Sequence, residues 1–130
     1  MSTIDVTGSS FAETLSANDI VLVDFWADWC APCRAFAPTY TSASEQHPDV
    51  TFAKVDTEAE QELSAAAGIS SIPTLMAFRE GVLVFSQPGA LPAPALEEVI
   101  TAVKGLDMAE VHRTVAAQQA QQQAAPETAS

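Results

Sequence analysis

The chemistry-bearing residues of this chain are its two cysteines, which stand two residues apart in the segment Cys30-Ala31-Pro32-Cys33. A strand-like apolar run, residues 20–26, precedes them, and the pattern predicts a helix after them. Two thiols at this spacing come within disulfide reach once the segment turns into a helix. Free N–H groups and the positive dipole at the start of a helix favour a thiolate on the first cysteine. Because the thiolate is the nucleophile of dithiol–disulfide exchange, the pattern favours that chemistry.

A cysteine pair can also form an inert structural disulfide or contribute two ligands to a zinc site. A tetrahedral zinc site needs four ligands, and the chain has no second cysteine pair. The two histidines, His47 and His112, stand apart from the cysteines and from each other, and we expect both on the surface. No metal site is therefore predicted, and the inert disulfide is the less favoured alternative.

The composition predicts one acidic domain. A chain of 130 residues can bury a hydrophobic core without structural disulfide bonds. A net charge of −12, with five basic residues that do not cluster, argues against binding to nucleic acid or to anionic membranes. Residues 1–8 lack a signal-peptide pattern, and no segment is long and apolar enough to span a bilayer. We therefore expect a cytoplasmic protein, in which a lone cysteine pair is more often catalytic than structural.

Strand-like and helix-like segments alternate along the chain. Strands are predicted at residues 3–6, 20–26, 50–55, 74–78 and 82–85, and helices at residues 10–17, 33–47, 58–67 and 95–103. Pro38 predicts a kink or break in the second helix, and Thr57 is a candidate cap for the third. A short connection containing Gly81 makes the last two strands an antiparallel hairpin. The order predicts an α/β fold with a mixed central sheet, parallel units followed by a C-terminal hairpin, and helices on both faces.

The amino-acid composition of the chain changes at residue 105. We expect residues 1–104 to form the domain and residues 105–130 to form an Ala/Gln-rich tail that is partly helical or disordered. Met108, Val111 and Val115 keep a weak helical period, but large apolar groups are few, so we expect little packing. A solubilising tail is the favoured interpretation, and a docking helix is the alternative.

Asp24 is the most informative residue outside the cysteine pair. The alternation of side chains along a strand places it on the same face as Leu22 and Trp26. A carboxylate in such an apolar run is desolvated, which raises its pKa and makes it a candidate proton acceptor for Cys33. The alternative is a structural role in which Asp24 is hydrogen-bonded at the end of the strand.

Three separated motifs resemble those of thioredoxins: residues 21–34 with the cysteine pair, the segment Ser71-Ile72-Pro73-Thr74, and Gly89-Ala90. The resemblance spans roughly residues 4–103. It implies the thioredoxin fold, a cis peptide bond between Ile72 and Pro73, and protein-disulfide oxidoreductase activity. A trans proline on an edge strand is the less favoured alternative for Pro73.

The resemblance also implies roles for single residues. Cys30 is similar in position to the attacking cysteine of thioredoxins, and Cys33 to the resolving cysteine. Asp24 resembles the buried aspartate of the family, and Lys54 resembles the lysine near it. A surface lysine with a partly buried stem is a nearly equal alternative for Lys54.

Two residues between the cysteines are expected to modulate the site. Pro32 has no N–H, so it offers the neighbouring thiolate one hydrogen-bond donor fewer. Fewer donors stabilise the thiolate less, which favours a reducing member of the family over its oxidising relatives. Ala31 departs from the family, where glycine is typical, and it stiffens the turn slightly.

The resemblance further implies a client-binding surface and an electron source. Trp29, Ile72, Pro73, Gly89 and Ala90 are expected to receive an extended client segment, much as an added strand would be received. We expect a monomer with no bound cofactor, which takes electrons from NADPH through a flavin-dependent thioredoxin reductase and passes them to client disulfides. The alternative function is a binding module that uses the same groove and the tail without turnover.

Overall fold

The computed structural model of the chain describes residues 3–128, and the side chains of residues 3–123. Its elements, in chain order, are β1 (Thr3–Asp5), α1 (Phe11–Ala17), β2 (Ile20–Trp26), α2 (Ala31–Gln46), β3 (Thr51–Asp56), α3 (Gln61–Ala66), β4 (Thr74–Arg79), β5 (Val82–Pro88), α4 (Ala93–Lys104) and α5 (Met108–Thr128). No helix within the described range is long and apolar enough to cross a membrane.

The five strands form one mixed sheet in the order β1-β3-β2-β4-β5. β3 pairs in parallel with both β1 and β2, whereas β4 pairs antiparallel with β2 and with β5. This confirms the predicted mixed sheet with a terminal hairpin. Because β2 and β3 are parallel and central, the loops after their carboxyl ends lie at the same edge of the sheet.

The alternation of side chains along β2 divides the core into two layers. Ile20 and Leu22 pack with residues of α2 and α4 on one face. Val21, Val23 and Phe25 lie on the other face, where residues of α1 and α3 pack against them. Burial on both faces explains why β2 is apolar almost throughout, and it leaves Asp24 as a carboxylate inside the core.

Two helices differ from the predicted ones. α2 begins at Ala31 and continues through Pro38 to Gln46 without a break. α3 begins at Gln61 rather than at Glu58, and residues 57–59 form a turn in which Asp56 Oδ1 accepts the backbone N–H groups of Glu58 at 2.9 Å and Ala59 at 3.4 Å. Thr57 does not cap this helix, since its hydroxyl donates to the Trp26 carbonyl oxygen at 3.0 Å.

The predicted tail contains helix α5, and its first turns contact the domain. Met108 is buried, with 8% of its surface exposed, which the sequence does not predict. His112 Nε2 lies 2.7 Å from Glu80 Oε1, which ties the helix to the turn between β4 and β5. Residues 116–123 are exposed, and residues 129–130 of the predicted tail lie outside the described residues.

The two histidines differ in their surroundings. The side chain of His112 is 47% exposed, as predicted, whereas that of His47 is only 18% exposed. The His47 ring lies between Glu97 Oε1, at 2.8 Å from Nε2, and Lys104 Nζ, at 3.0 Å from Nδ1. These contacts join the end of α2 to α4.

Candidate active site

The cysteine pair lies where β2 passes into α2. Cys30 is the N-cap residue of α2, and Cys33 belongs to the first turn of the helix. The two residues form a disulfide with their Cα atoms 5.2 Å apart, and the backbone N–H of Cys33 donates to Cys30 Sγ at 3.2 Å. A backbone donor directed at this sulfur stabilises negative charge there.

Burial alone does not distinguish the two sulfurs. Cys30 is 4% exposed and Cys33 is 3% exposed in the disulfide form. The difference between them is the helix terminus, because only Cys30 Sγ accepts the N–H of the first turn. Ala31 and Pro32, between the cysteines, are exposed and form the start of α2.

The segment before β4 lies against the cysteine pair. The Ile72–Pro73 peptide bond is cis, and the Ile72 carbonyl oxygen lies 3.7 Å from Cys30 Sγ. The N–H of Gly89 donates to the Pro73 carbonyl oxygen at 2.7 Å, so the end of β5 joins this segment. Gly89 has a φ of 102°, which glycine adopts without strain, and the exposed Ala90 follows it.

Asp24 is 1% exposed, and neither of its carboxylate oxygens has a hydrogen-bond partner within the described part of the chain. Burial raises the pKa of Asp24 from 3.8 to about 7, and the positive charge of Lys54 opposes this rise. A cavity of about 260 Å³ is lined by Asp24, Cys33 and Lys54, among others. The buried carboxyl group and the second cysteine therefore share one space.

Lys54 faces Asp24 across the strand pair, since the two residues are register partners in β2 and β3. Its Nζ lies 4.9 Å from the centroid of the Trp26 ring. The ammonium group therefore lies over an indole face beside the buried carboxyl group, rather than extending freely into solvent.

Sequence reasoning missed two residues that hold the rim of this site, Glu58 and Arg34. Trp29 is 67% exposed, and its indole Nε1 donates to Glu58 Oε2 at 3.3 Å. Arg34 Nη1 donates to the Asp28 carbonyl oxygen at 2.6 Å. No local sequence pattern marks Glu58, because its contact with Trp29 arises from the parallel pairing of β2 and β3, which places the two following loops side by side.

The fold and the site together define a dithiol–disulfide exchange protein: a cysteine that caps a helix is bonded to a second cysteine one turn later, beside a cis proline. The thioredoxin family model matches residues 2–124. The chain is 57% identical to "Putative thioredoxin 2" of Streptomyces coelicolor over 120 residues, which are 92% of this chain and 90% of that relative. It is 45% identical to "Thioredoxin" of Mycobacterium tuberculosis over 96 residues, 72% of this chain and 83% of the relative.

Solved structures agree with these relatives. A mutant thioredoxin from Halobacterium salinarum superposes with a TM-score of 0.76 at 35% identity and covers 81% of this chain and 93% of its own. Thioredoxin f from spinach chloroplast superposes with a TM-score of 0.75 at 30% identity, and the superposition covers 80% of this chain and 95% of the spinach chain. The chain belongs to the thioredoxin family. It is a protein-disulfide oxidoreductase with a redox-active cysteine pair.

Proposed function

We propose that Cys30 is the attacking nucleophile and Cys33 the resolving thiol in the reduction of client disulfides. The Cys30 thiolate attacks one sulfur of the client disulfide; a mixed disulfide forms and the first client thiolate leaves. The Cys33 thiolate then attacks Cys30 Sγ, which forms the 30–33 disulfide and releases the second client thiolate. Two electrons pass to the client. The observation that carries this assignment is the Cys33 N–H donated to Cys30 Sγ at the start of α2.

In this proposal Asp24 accepts the proton of Cys33. The support is its burial, its pKa near 7 and the cavity that it shares with Cys33. A carboxyl group with a pKa near the working pH can take up and release a proton during turnover. Lys54 modulates this step, because its positive charge favours the ionised form of Asp24.

The proposed client groove consists of Trp29, Ile72, Pro73, Gly89 and Ala90. Trp29 and Ala90 are exposed, and the Ile72 carbonyl oxygen lies beside Cys30 Sγ. An extended client segment can therefore pair with the backbone before the cis proline while its disulfide meets the thiolate. Ala31 and Pro32, both exposed at the start of α2, are proposed to modulate the reactivity of the pair.

The proposed electron source is NADPH, through a flavin-dependent thioredoxin reductase, with no cofactor bound to this chain. One relative supports the pairing with a reductase: "Bifunctional thioredoxin reductase/thioredoxin" of Mycobacterium leprae is 45% identical over 96 residues, which are 21% of its length. We further propose a cytoplasmic monomer, with residues 1–104 as the domain and residues 105–130 as an appended tail whose first turns contact the domain. A binding module without turnover is not favoured, because the relatives are thioredoxins and the redox pair is present.

Insulin reduction tests this function. The full chain, with NADPH and a flavin-dependent thioredoxin reductase, is expected to reduce insulin catalytically, and the Cys30→Ser variant is the matched control. Stoichiometric binding of insulin without NADPH consumption would support the binding module instead.

A further inference from the structure

An acidic segment lies beside the redox pair. Residues 56–62 carry a carboxylate at every second position and no basic residue; we call this segment the acidic ledge, and its acids are Asp56, Glu58, Glu60 and Glu62. Among residues 3–123, no Lys, Arg or His side chain forms an ion pair with any of the four. The ledge therefore presents negative charge that the chain does not itself neutralise.

Strand pairing fixes the ledge next to the cysteines. Thr57 donates to the Trp26 carbonyl oxygen through its backbone N–H at 2.9 Å and through its hydroxyl at 3.0 Å. The loop after β3 is thereby bound to the end of β2, directly before the segment that carries Cys30. Glu58 then reaches Trp29, whose indole N–H it accepts at 3.3 Å.

The ledge is held in one arrangement by its own acids. Asp56 Oδ1 accepts the N–H of Glu58 at 2.9 Å, and Glu60 Oε1 accepts the N–H of Gly8 at 2.8 Å. Asp56 and Glu60 thus hold the backbone of neighbouring loops, whereas the Glu58 side chain is directed at the rim of the active site. A carboxylate held in place loses less conformational freedom when it binds a partner.

Trp29 provides an exposed aromatic surface next to the Glu58 carboxylate. Its ring is 67% exposed, and its N–H edge is held by Glu58. An indole face attracts a cation, and a carboxylate at its edge adds an ion pair to the same side chain. This chain already uses a comparable pairing beneath the site, where Lys54 Nζ lies 4.9 Å from the Trp26 ring beside the carboxyl group of Asp24.

We propose that Trp29 and Glu58 recognise a Lys or Arg side chain next to the disulfide of a client protein. The inference rests on the reductase function proposed above and names the class of client that it prefers. The cation lies on the indole face of Trp29 and pairs with Glu58, and this holds the client disulfide over Cys30. The net charge of −12 steers such basic clients toward the protein over a longer distance.

Two cyclic disulfide peptides that differ only in one residue beside a cysteine, Arg or Gln, test the proposal. Each is mixed with the reduced full chain, and the rate constant is followed by stopped-flow tryptophan fluorescence. Each rate constant is divided by that of the same peptide with dithiothreitol, because a neighbouring Arg also changes the intrinsic reactivity of a disulfide. We expect the corrected rate constant to be about five-fold higher for the Arg peptide, since an exposed cation–π contact and an exposed ion pair together contribute about 1 kcal/mol, which is a factor of about five.

Glu58→Gln removes the charge but keeps an oxygen that can accept the Trp29 N–H, and we expect it to lower the Arg/Gln ratio to about two-fold. Glu45→Gln is the matched control, because it makes the same change in net charge on the exposed surface at the far end of α2, and its ratio should equal that of the unaltered chain. Equal corrected rates for the two peptides, or an equal loss of preference in both variants, would overturn the proposal. Failure to reduce either peptide would instead contradict the proposed reductase function.

Discussion

The two cysteines have similar burial but different positions relative to the helix, and this difference predicts different mutant phenotypes. Cys30→Ser is expected to abolish reduction of clients, because the sulfur that accepts the first-turn N–H is lost. Cys33→Ser is expected to attack clients but to remain bound to them as a mixed disulfide. Non-reducing electrophoresis and intact-mass measurement after mixing with an oxidised client distinguish the two results. Equal trapping by both variants would contradict the assignment of roles.

Asp24 links the site to the pH dependence of stability. An aspartate in the unfolded chain loses its proton near its ordinary pKa of 3.8, whereas Asp24 in the folded chain loses it near pH 7. Between these values the folded state binds more protons than the unfolded state, so the free energy of unfolding falls as the pH rises. At about 1.4 kcal/mol per pH unit, ionisation of Asp24 costs the fold up to about 4 kcal/mol, and the loss is complete above pH 7.

Asp24→Asn is therefore expected to be more stable than the unaltered protein at pH 8, by up to about 4 kcal/mol, and nearly equal to it at pH 4. The reason is that asparagine cannot ionise within the core. Urea denaturation of both proteins at several pH values measures the difference. A constant difference at all pH values would show that the ionisation of Asp24 is not its cause.

The same substitution is expected to slow the resolution of the mixed disulfide. In the unaltered protein the rate of client release should rise as the pH passes through about 7, because the ionised carboxylate can accept the Cys33 proton. Asp24→Asn should lose this rise, and should be slower at pH 8 by up to roughly 100-fold. Single-turnover release of a fluorescent client between pH 5 and 9 measures the profile. An unchanged profile would contradict the role of Asp24 as a proton acceptor.

At the scale of elements, α5 divides into a docked start and an exposed remainder. Met108 is buried, Glu110 N donates to Asp107 Oδ1 at 3.2 Å, and His112 contacts Glu80. Residues 116–123 are exposed. The match to the Streptomyces coelicolor relative covers 120 of the 130 residues, so it includes part of the segment after Lys104.

Two truncations test whether the docked start stabilises the domain. A chain ending at Val115 is expected to melt like the full chain, because it keeps the buried Met108. A chain ending at Gly105 is expected to lose about 2 kcal/mol of unfolding free energy, the usual worth of one buried methionine side chain. Thermal and urea denaturation of the three chains provide the comparison. Equal stability of all three would show that α5 does not stabilise the domain.

At the scale of the whole molecule, the charge is strongly unbalanced. The chain has 17 acidic and only five basic residues, and four of these five lie beside acidic partners: Arg79 with Asp19, Lys104 with Asp49, Arg113 with Glu110, and Lys54 near Asp24. Most carboxylates therefore face solvent and repel one another. Such self-repulsion destabilises the compact state and is screened by salt.

Salt is accordingly expected to stabilise this protein. Raising sodium chloride from 10 to 300 mM should increase the free energy of unfolding by about 1 kcal/mol, equivalent to roughly 4 °C in melting temperature. The measurement is made at pH 8, where the carboxylates are ionised. A fall in stability with salt would mean that the few ion pairs outweigh the repulsion among the acids.

The local spacing of residues in the sequence determined several features of the fold and of the active site. The two residues between Cys30 and Cys33, the apolar run around Asp24 and the short turn at Gly81 predicted the redox pair, a buried carboxyl group and a terminal hairpin. Each of these features follows from the chain's own covalent geometry within one strand, one helical turn or one hairpin. The mixed sheet with helices on both faces followed from the order of such elements.

Only the tertiary structure decided which distant residues meet. Glu58 holds Trp29 because parallel pairing places the loops after β2 and β3 together. Met108 is buried because the chain after α4 turns back onto the domain. Such contacts join residues tens of positions apart in the sequence, so they depend on strand register and helix packing, which no local pattern in a single chain specifies.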